Sequence, residues 1–234
     1  MLVLGIDTST RTTSIALGSE QRMLASMSLE RAVPNHEMVT GGLLRLLEWA
    51  EVPVGAITGI AIGLGPGLFT GMRVGIATGK TLAQSLGIPV IGVASLDVVA
   101  FSARFSRRLI CATIDARRGE IFYAFYRPVP GGVARETEFL VGPPARLTAE
   151  LAARPEEILL VGDGGLVYRR ELQEAGSRVE VASATHAFPS AAALVELTVP
   201  RFLREDFDRL YDVQPYYVRK ADAEIAWDRR RGTA

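Results

Sequence analysis

Two stretches of the chain follow one plan, and a duplicated plan narrows the choice of fold more than composition can. In "MLVLGIDTSTRTTSIALG", residues 1–18, an apolar strand ends at Asp7, a polar turn follows, and an alternating strand runs over 14–17. In "RLICATIDARRGEIFYAFY", residues 108–126, an apolar strand ends at Asp115, a polar turn follows, and a second strand covers 120–126. Ile6-Asp7 and Ile114-Asp115 occupy matching places. The repetition predicts two duplicated α/β lobes, one over residues 1–104 and one over 105–234.

Each repeat leads into alternating helices and strands. After the first come a helix over 36–50, a buried strand over 59–64, a helix over 71–86, a strand over 89–93 and a helix from 96 to about 105. After the second come a Pro/Gly loop over 128–132, a helix near 147–153 and a strand over 158–161. Helices over 168–175 and 190–204 follow, the latter with Pro200 inside it. Residues 215–219, Pro-Tyr-Tyr-Val-Arg, predict an edge strand before a charged end. Strands alternating with helices require mixed or parallel sheets covered by helices.

Counting excludes several functions. Lys plus Arg equals Asp plus Glu at 26 each, so no global field draws nucleic acid or an anionic membrane. The single cysteine, Cys111, lies in an apolar run and is expected to be a buried thiol. The two histidines, His36 and His186, share no metal-ligand spacing, so no histidine-based metal site is expected. No targeting signal and no long apolar span is present, and the expected location is the cytoplasm, with no membrane as partner. "GMRVGIATGKT", residues 71–81, ends like a phosphate-binding loop, but the glycine such a loop needs falls on Val74. Lys80 would also lie two turns inside a helix, away from the anion site at its N-terminus.

Gly71, Gly75 and Gly79 recur at a four-residue step and line one face of that helix. A helical glycine costs about 0.5–1 kcal/mol relative to alanine, so three on one stripe imply a close approach to the backbone. The approach is made either by the chain's own sheet or by another chain. The preceding helix carries Leu44, Trp49 and Ala50 besides five further apolar residues, more apolar surface than one core can cover. A partner interface is therefore expected on the two helices. Met38, Val39, Leu43, Leu46 and Leu47 would form it on the first, and Gly71, Met72, Gly75, Ile76 and Gly79 on the second.

"LGIDTSTRTTSIAL", "GLGPGLFTGMRVGIATGKTLAQSLGIPVIGVASLDVVA" and "TIDARRGEIFYAFY", in this order and spacing, closely resemble the bacterial TsaB (YeaZ) family. The resemblance covers most of the chain and is weakest over 131–155 and in the charged tail. It implies two lobes of the actin/Hsp70-like type (ASKHA, RNase H-like), in agreement with the duplication. It implies a subunit of the machinery that makes threonylcarbamoyladenosine beside the tRNA anticodon. Its first-lobe helices would pair with the catalytic relative TsaD, or with a second copy in a homodimer. TsaE, the ATPase subunit, and tRNA, met indirectly through the complex, are the other partners implied. Gly41-Gly42 inside the first helix departs from the family pattern.

TsaD-type relatives place His-x-x-x-His after the "IPVIGV" strand to hold a metal, and this sequence has Ser95 and Val99 at those positions. Neither replaces an imidazole, so the expectation is a scaffold or activator with no catalytic residue and no metal of its own. Asp7, Asp115 and Asp163 each end an apolar strand, where the fold family typically clamps phosphates and Mg²⁺. Gly164 and Gly165, after Gly162, resemble a worn adenosine-side turn. These five residues are expected to be a vestigial nucleotide site, with Asp7 and Asp163 acting as turn formers or helix caps. No cofactor is expected on the chain alone, and ATP or ADP only at an interface with the partner. The alternative is an autonomous ASKHA-type ATPase or kinase, but no lysine or histidine accompanies the carboxylates. A metallopeptidase would need His-Glu-x-x-His, and the short basic runs 104–108 and 229–231 lack the stacking platform of an RNA-binding module.

Overall fold

The two hairpins seen in the sequence each seed a sheet of the same strand order. The computed structural model describes residues 1–30 and 35–219, and of residues 35–37 the backbone alone. The first half supplies β1 (Val3–Asp7), β2 (Thr12–Gly18), β3 (Met23–Glu30), β4 (Gly59–Gly63) and β5 (Val90–Val93), in the order β3-β2-β1-β4-β5. The second supplies β6 (Leu109–Arg117), β7 (Glu120–Val129), β8 (Gly132–Arg135), β9 (Leu140–Gly142), β10 (Ile158–Val161) and β11 (Val179–Val181). Their order is β8-β7-β6-β10-β11, with β9 pairing on β7. The pairs β1–β2 and β6–β7 are antiparallel, whereas β1–β4 and β6–β10 are parallel. The duplication read at Ile6-Asp7 and Ile114-Asp115 thus extends across both sheets.

Seven α-helices are described: α1 (Asn35–Trp49), α2 (Phe69–Leu86), α3 (Ser95–Ser102), α4 (Pro144–Ala153), α5 (Asp163–Val167), α6 (Arg169–Gln173) and α7 (Ala191–Leu203). Val39, Leu46 and Ile76 of α1 and α2 pack on Leu4, Ile15 and Ile62, covering one face of the first sheet. The opposite face is covered by the far end of the chain, where Leu194, Val195 and Phe202 of α7 meet Val3, Ala16 and Ile91. In exchange, Leu96, Val99 and Ala100 of α3 pack on Ile110, Ala112 and Ile114 of the second sheet. Leu147, Leu151 and Leu172 of α4 and α6 close its other face, with Cys111 fully buried among them and its thiol pushed up by burial. A division of the chain at residue 104 is a proposal about folding units; α3 and α7 each pack across it.

Several elements differ from the sequence-based expectation, each for a local reason. The strands β3, β8, β9 and β11 were not foreseen, because they are short or half-exposed and show no sustained apolar run. The Pro/Gly loop over 128–132 is a tight turn, since β7 continues to Val129 and β8 begins at Gly132. The helix expected over 168–175 is α6, shorter at Arg169–Gln173, and α5 before it was not foreseen. Residues 215–219 are not a strand; Tyr216 bonds instead to the Leu64 carbonyl. The charged end from residue 220 lies outside the described residues.

The glycine stripe faces inward. A Cβ at Gly79 would stand 2.5 Å from Ile62 Cδ1, and one at Gly75 would run into Thr8 Oγ1. Thr8 Oγ1 accepts from the Gly75 N–H (3.1 Å) and donates to the Gly71 carbonyl (2.6 Å), so it cannot move aside without losing both bonds. All ten residues expected to face a partner are buried within the chain itself: Met38, Val39, Leu43, Leu46 and Leu47, and Gly71, Met72, Gly75, Ile76 and Gly79. That expectation is corrected here. Apolar periodicity marked the sides of α1 and α2 that build the core, and the outer surface of both helices is made of other residues.

Gly75→Ala and Gly41→Ala separate these roles. Gly75→Ala should destabilise the protein by about 1–3 kcal/mol, the usual result of overpacking. Gly41 has nothing within 4 Å of an added Cβ, and Gly41→Ala should stabilise by about 0.5–1 kcal/mol through helix propensity. Chemical denaturation monitored by circular dichroism measures both; equal responses would contradict the inward-facing stripe.

Candidate functional site

β1 delivers Asp7 to the C-terminal edge of the first sheet, fully buried. Its Oδ1 accepts from the Ser9 N–H (2.9 Å) and the Ser9 hydroxyl (2.7 Å), and its Oδ2 accepts from the Ser95 hydroxyl at 2.7 Å. Burial raises its pKa, and these three bonds oppose the rise. Ser95 Oγ in turn accepts from the Gly65 N–H (3.1 Å), and the Ser95 N–H donates to the Gly65 carbonyl (2.7 Å). Asp7 lies so close over β4 that a Cβ at Gly63 would collide with its carboxylate. Ser9 and Ser95 thus bond both carboxylate oxygens of Asp7, which is the turn former of this edge.

Asp115 and Asp163 are brought together at the matching edge of the second sheet. Asp163 Oδ1 accepts from the Asp115 N–H (3.0 Å), while Asp115 Oδ1 accepts from the Arg117 N–H (2.9 Å). Arg117 also stands 3.5 Å from Asp115 Oδ2. Asp163 is raised to about 6, first by burial and also by the neighbouring Asp115 charge. Gly164 and Gly165 pack on β6: a Cβ at Gly164 would sit 3.1 Å from Thr113 Cβ, and the Gly165 N–H donates to Thr113 Oγ1 at 2.8 Å. Asp7 remains in its separate serine network, so the five expected nucleotide residues form two clusters.

The gap between these edges is crossed by the chain that follows α7, a feature that sequence reasoning missed. The Asp208 N–H donates to the Val90 carbonyl (3.0 Å), and Lys80 Nζ donates to the Val213 carbonyl (3.1 Å). Tyr216 N–H donates to the Leu64 carbonyl (2.9 Å), and its ring meets Phe139 at 5.4 Å. Arg73 lies 3.8 Å over the Phe69 ring and donates through Nε to the Tyr217 hydroxyl at 2.9 Å. Arg219 then reaches Glu120 of β7 at 2.7 Å. This strap leaves about 110 Å³ between Gly67, Met72, Arg117 and itself, against roughly 300–1,000 Å³ for ordinary ligand pockets. In the basic run 104–108, Arg104 stacks 4.4 Å from the exposed Phe105 ring and pairs with Glu196, while Arg108 pairs with Glu157 and Glu180. Residues 229–231 lie outside the described residues.

Several known proteins are similar to the chain in sequence or in fold. The family model described as "TsaD: tRNA N6-adenosine threonylcarbamoyltransferase" matches residues 30–227. The tRNA threonylcarbamoyladenosine biosynthesis protein TsaB of Bacillus subtilis (strain 168) is 27% identical over 97% of this chain and 98% of its own length. Its namesake from Escherichia coli (strain K12) is 27% identical over 99% of each. The solved structure of YeaZ from Pseudomonas aeruginosa superposes with a TM-score of 0.79 at 28% identity, covering 92% of this chain and 99% of that one. A ROK hexokinase from Thermus thermophilus, 15% identical with a TM-score of 0.51 over 88% of this chain and 100% of its own, shares the fold. Among the described residues no helix is long and apolar enough to cross a membrane.

Asp163 gives the stability a pH dependence of known sign. Its carboxyl is raised from 3.8 to about 6 in the folded protein, so between those values the folded state holds more protons than the unfolded one, and stability falls as pH rises. Asp163→Asn removes this contribution, whereas Asp7, also raised, is present in both proteins. Urea melts should therefore show a flatter stability curve for Asp163→Asn than for the parent between about pH 4 and 6. Parallel curves would mean that burial does not perturb this carboxyl.

Proposed function

The chain belongs to the family that the TsaD model describes and, in it, to the TsaB (YeaZ) proteins of tRNA threonylcarbamoyladenosine biosynthesis; from that premise we propose that it is a non-catalytic scaffold for TsaD. The observation that carries the proposal is the fate of the two positions where the catalytic relative holds its imidazoles. Ser95 has its hydroxyl between Asp7 and Gly65, and Val99 is fully buried against the second sheet. Both side chains serve packing, and neither supplies a metal ligand.

The pairing surface in this reading is the outer side of α1 and α2. Leu44 is 64% exposed and Trp49 73% exposed, a large aromatic of the kind that anchors interfaces. On α2 the exposed stripe is Arg73, Ala77 and Thr81. TsaD docks there, and a second copy of the chain competes for the same face when TsaD is absent. TsaE and tRNA meet the assembled complex in the cytoplasm, and ATP or ADP is held at the joint surface. The filled strap and the satisfied Asp7 support the absence of a nucleotide site in the chain alone.

Mixing the chain with TsaD tests the proposal. Threonylcarbamoyl transfer to tRNA should require both proteins, and mass measurement should find them in one complex. The double variant Leu44→Glu/Trp49→Glu should lose the complex and the activity while its circular dichroism stays unchanged. Transfer by this chain alone, or a double variant that still pairs and supports transfer, would overturn the reading.

A further inference from the structure

At the lobe junction, β5, α3, β7, β8, α7 and the strap line a pocket of about 310 Å³. Val93, Val133, Leu197 and Tyr216 supply the apolar part of its mixed lining. Two opposite charges, Arg135 and Asp97, line it side by side as an ion pair. Arg135 is held flat by stacking 4.1 Å from the Phe139 ring, and its closest acidic partner, Asp97 Oδ1, is 3.6 Å away. That separation makes an ion pair without a good hydrogen bond, so the guanidinium keeps N–H donors for a ligand. Asp97 accepts one strong bond, from the Tyr126 hydroxyl at 2.7 Å, and burial raises its pKa. Arg201, the other cation of the lining, is already committed to Asp206 (2.9 Å) and Asp208 (2.8 Å).

A pocket with one guanidinium that keeps N–H donors, one carboxylate and a partly apolar lining matches a ligand that carries both charges close together. We propose that this pocket binds a small zwitterion, a free α-amino acid with a short side chain, its carboxylate on Arg135 and its ammonium on Asp97. The volume is near the lower end of the roughly 300–1,000 Å³ typical of ligand pockets, which excludes large side chains. Position at a junction between two packed units is where such pockets are most often found. The assignment does not depend on the scaffold reading, since none of these residues lies on the outer faces of α1 and α2.

The full chain titrated calorimetrically with L-alanine tests this, with propionate and ethylamine as controls that each lack one of the two charges. Saturable binding of alanine is expected, with neither control binding. Arg135→Gln, at a partly exposed position, should weaken alanine binding at least about tenfold, a loss of 1.4 kcal/mol or more, with an unchanged melting temperature; Asp97→Asn should weaken it as well. No alanine binding at tens of millimolar, controls that bind as well as alanine, or an Arg135→Gln variant that binds like the parent would each overturn the assignment.

Discussion

The hydrogen bond from the Ser95 hydroxyl to Asp7 Oδ2, 2.7 Å long and spanning 88 residues of sequence, joins the end of β1 to the start of α3. A fully buried carboxylate is tolerated only when donors surround it, and here two serines supply them. The same Ser95 Oγ takes the Gly65 N–H, so the turn after β4 is tied to the same point. Gly63 has to be glycine because Asp7 occupies the space its side chain would need. Removing the carboxylate would leave the two hydroxyls and the bend into α3 without their common acceptor.

From that junction α3 leaves the first sheet and puts Val99 into the core of the second, while α7 comes back to cover the first. The two sheets therefore close each other's cores, and the strap through Tyr216, Tyr217 and Arg219 adds contacts from one to the other. These contacts run through the gap between the two sheet edges. In this chain the carboxylates at the strand ends serve structure: Asp7 as a turn former and Asp163 as the acceptor for the Asp115 amide.

Much of this was legible in the residues. Ile6-Asp7 and Ile114-Asp115 announced two equivalent hairpins, because a fully buried strand shows as an unbroken apolar run, and the polar turn after each aspartate follows from its own side-chain bonds. The glycine step correctly signalled close approach but not its direction. An inward stripe and an outward one have the same spacing, and only the position of Thr8 and Ile62 decides between them. Leu44 and Trp49, the exposed apolar residues of α1, were indistinguishable in sequence from the buried Leu43 and Leu46 beside them. The return of α7 and the strap depend on contacts between residues far apart in sequence, as between Arg73 and Tyr217, 144 residues apart, and no local pattern encodes them. The Asp97–Arg135 pocket was hidden because its lining is drawn from β5, α3, β7, β8, α7 and the strap.

In the scaffold proposal, a chain whose strap crosses the gap between its two sheet edges is suited to shaping a partner. The proposed scaffold role draws on the bonding of Asp7, Asp115 and Asp163, whose carboxylates accept hydrogen bonds from the protein itself. Calorimetry of the isolated chain with Mg-ATP, followed by a phosphate-release assay, tests this most directly. The account predicts no saturable heat and no turnover. Micromolar binding with hydrolysis that disappears in Asp7→Ala would contradict it.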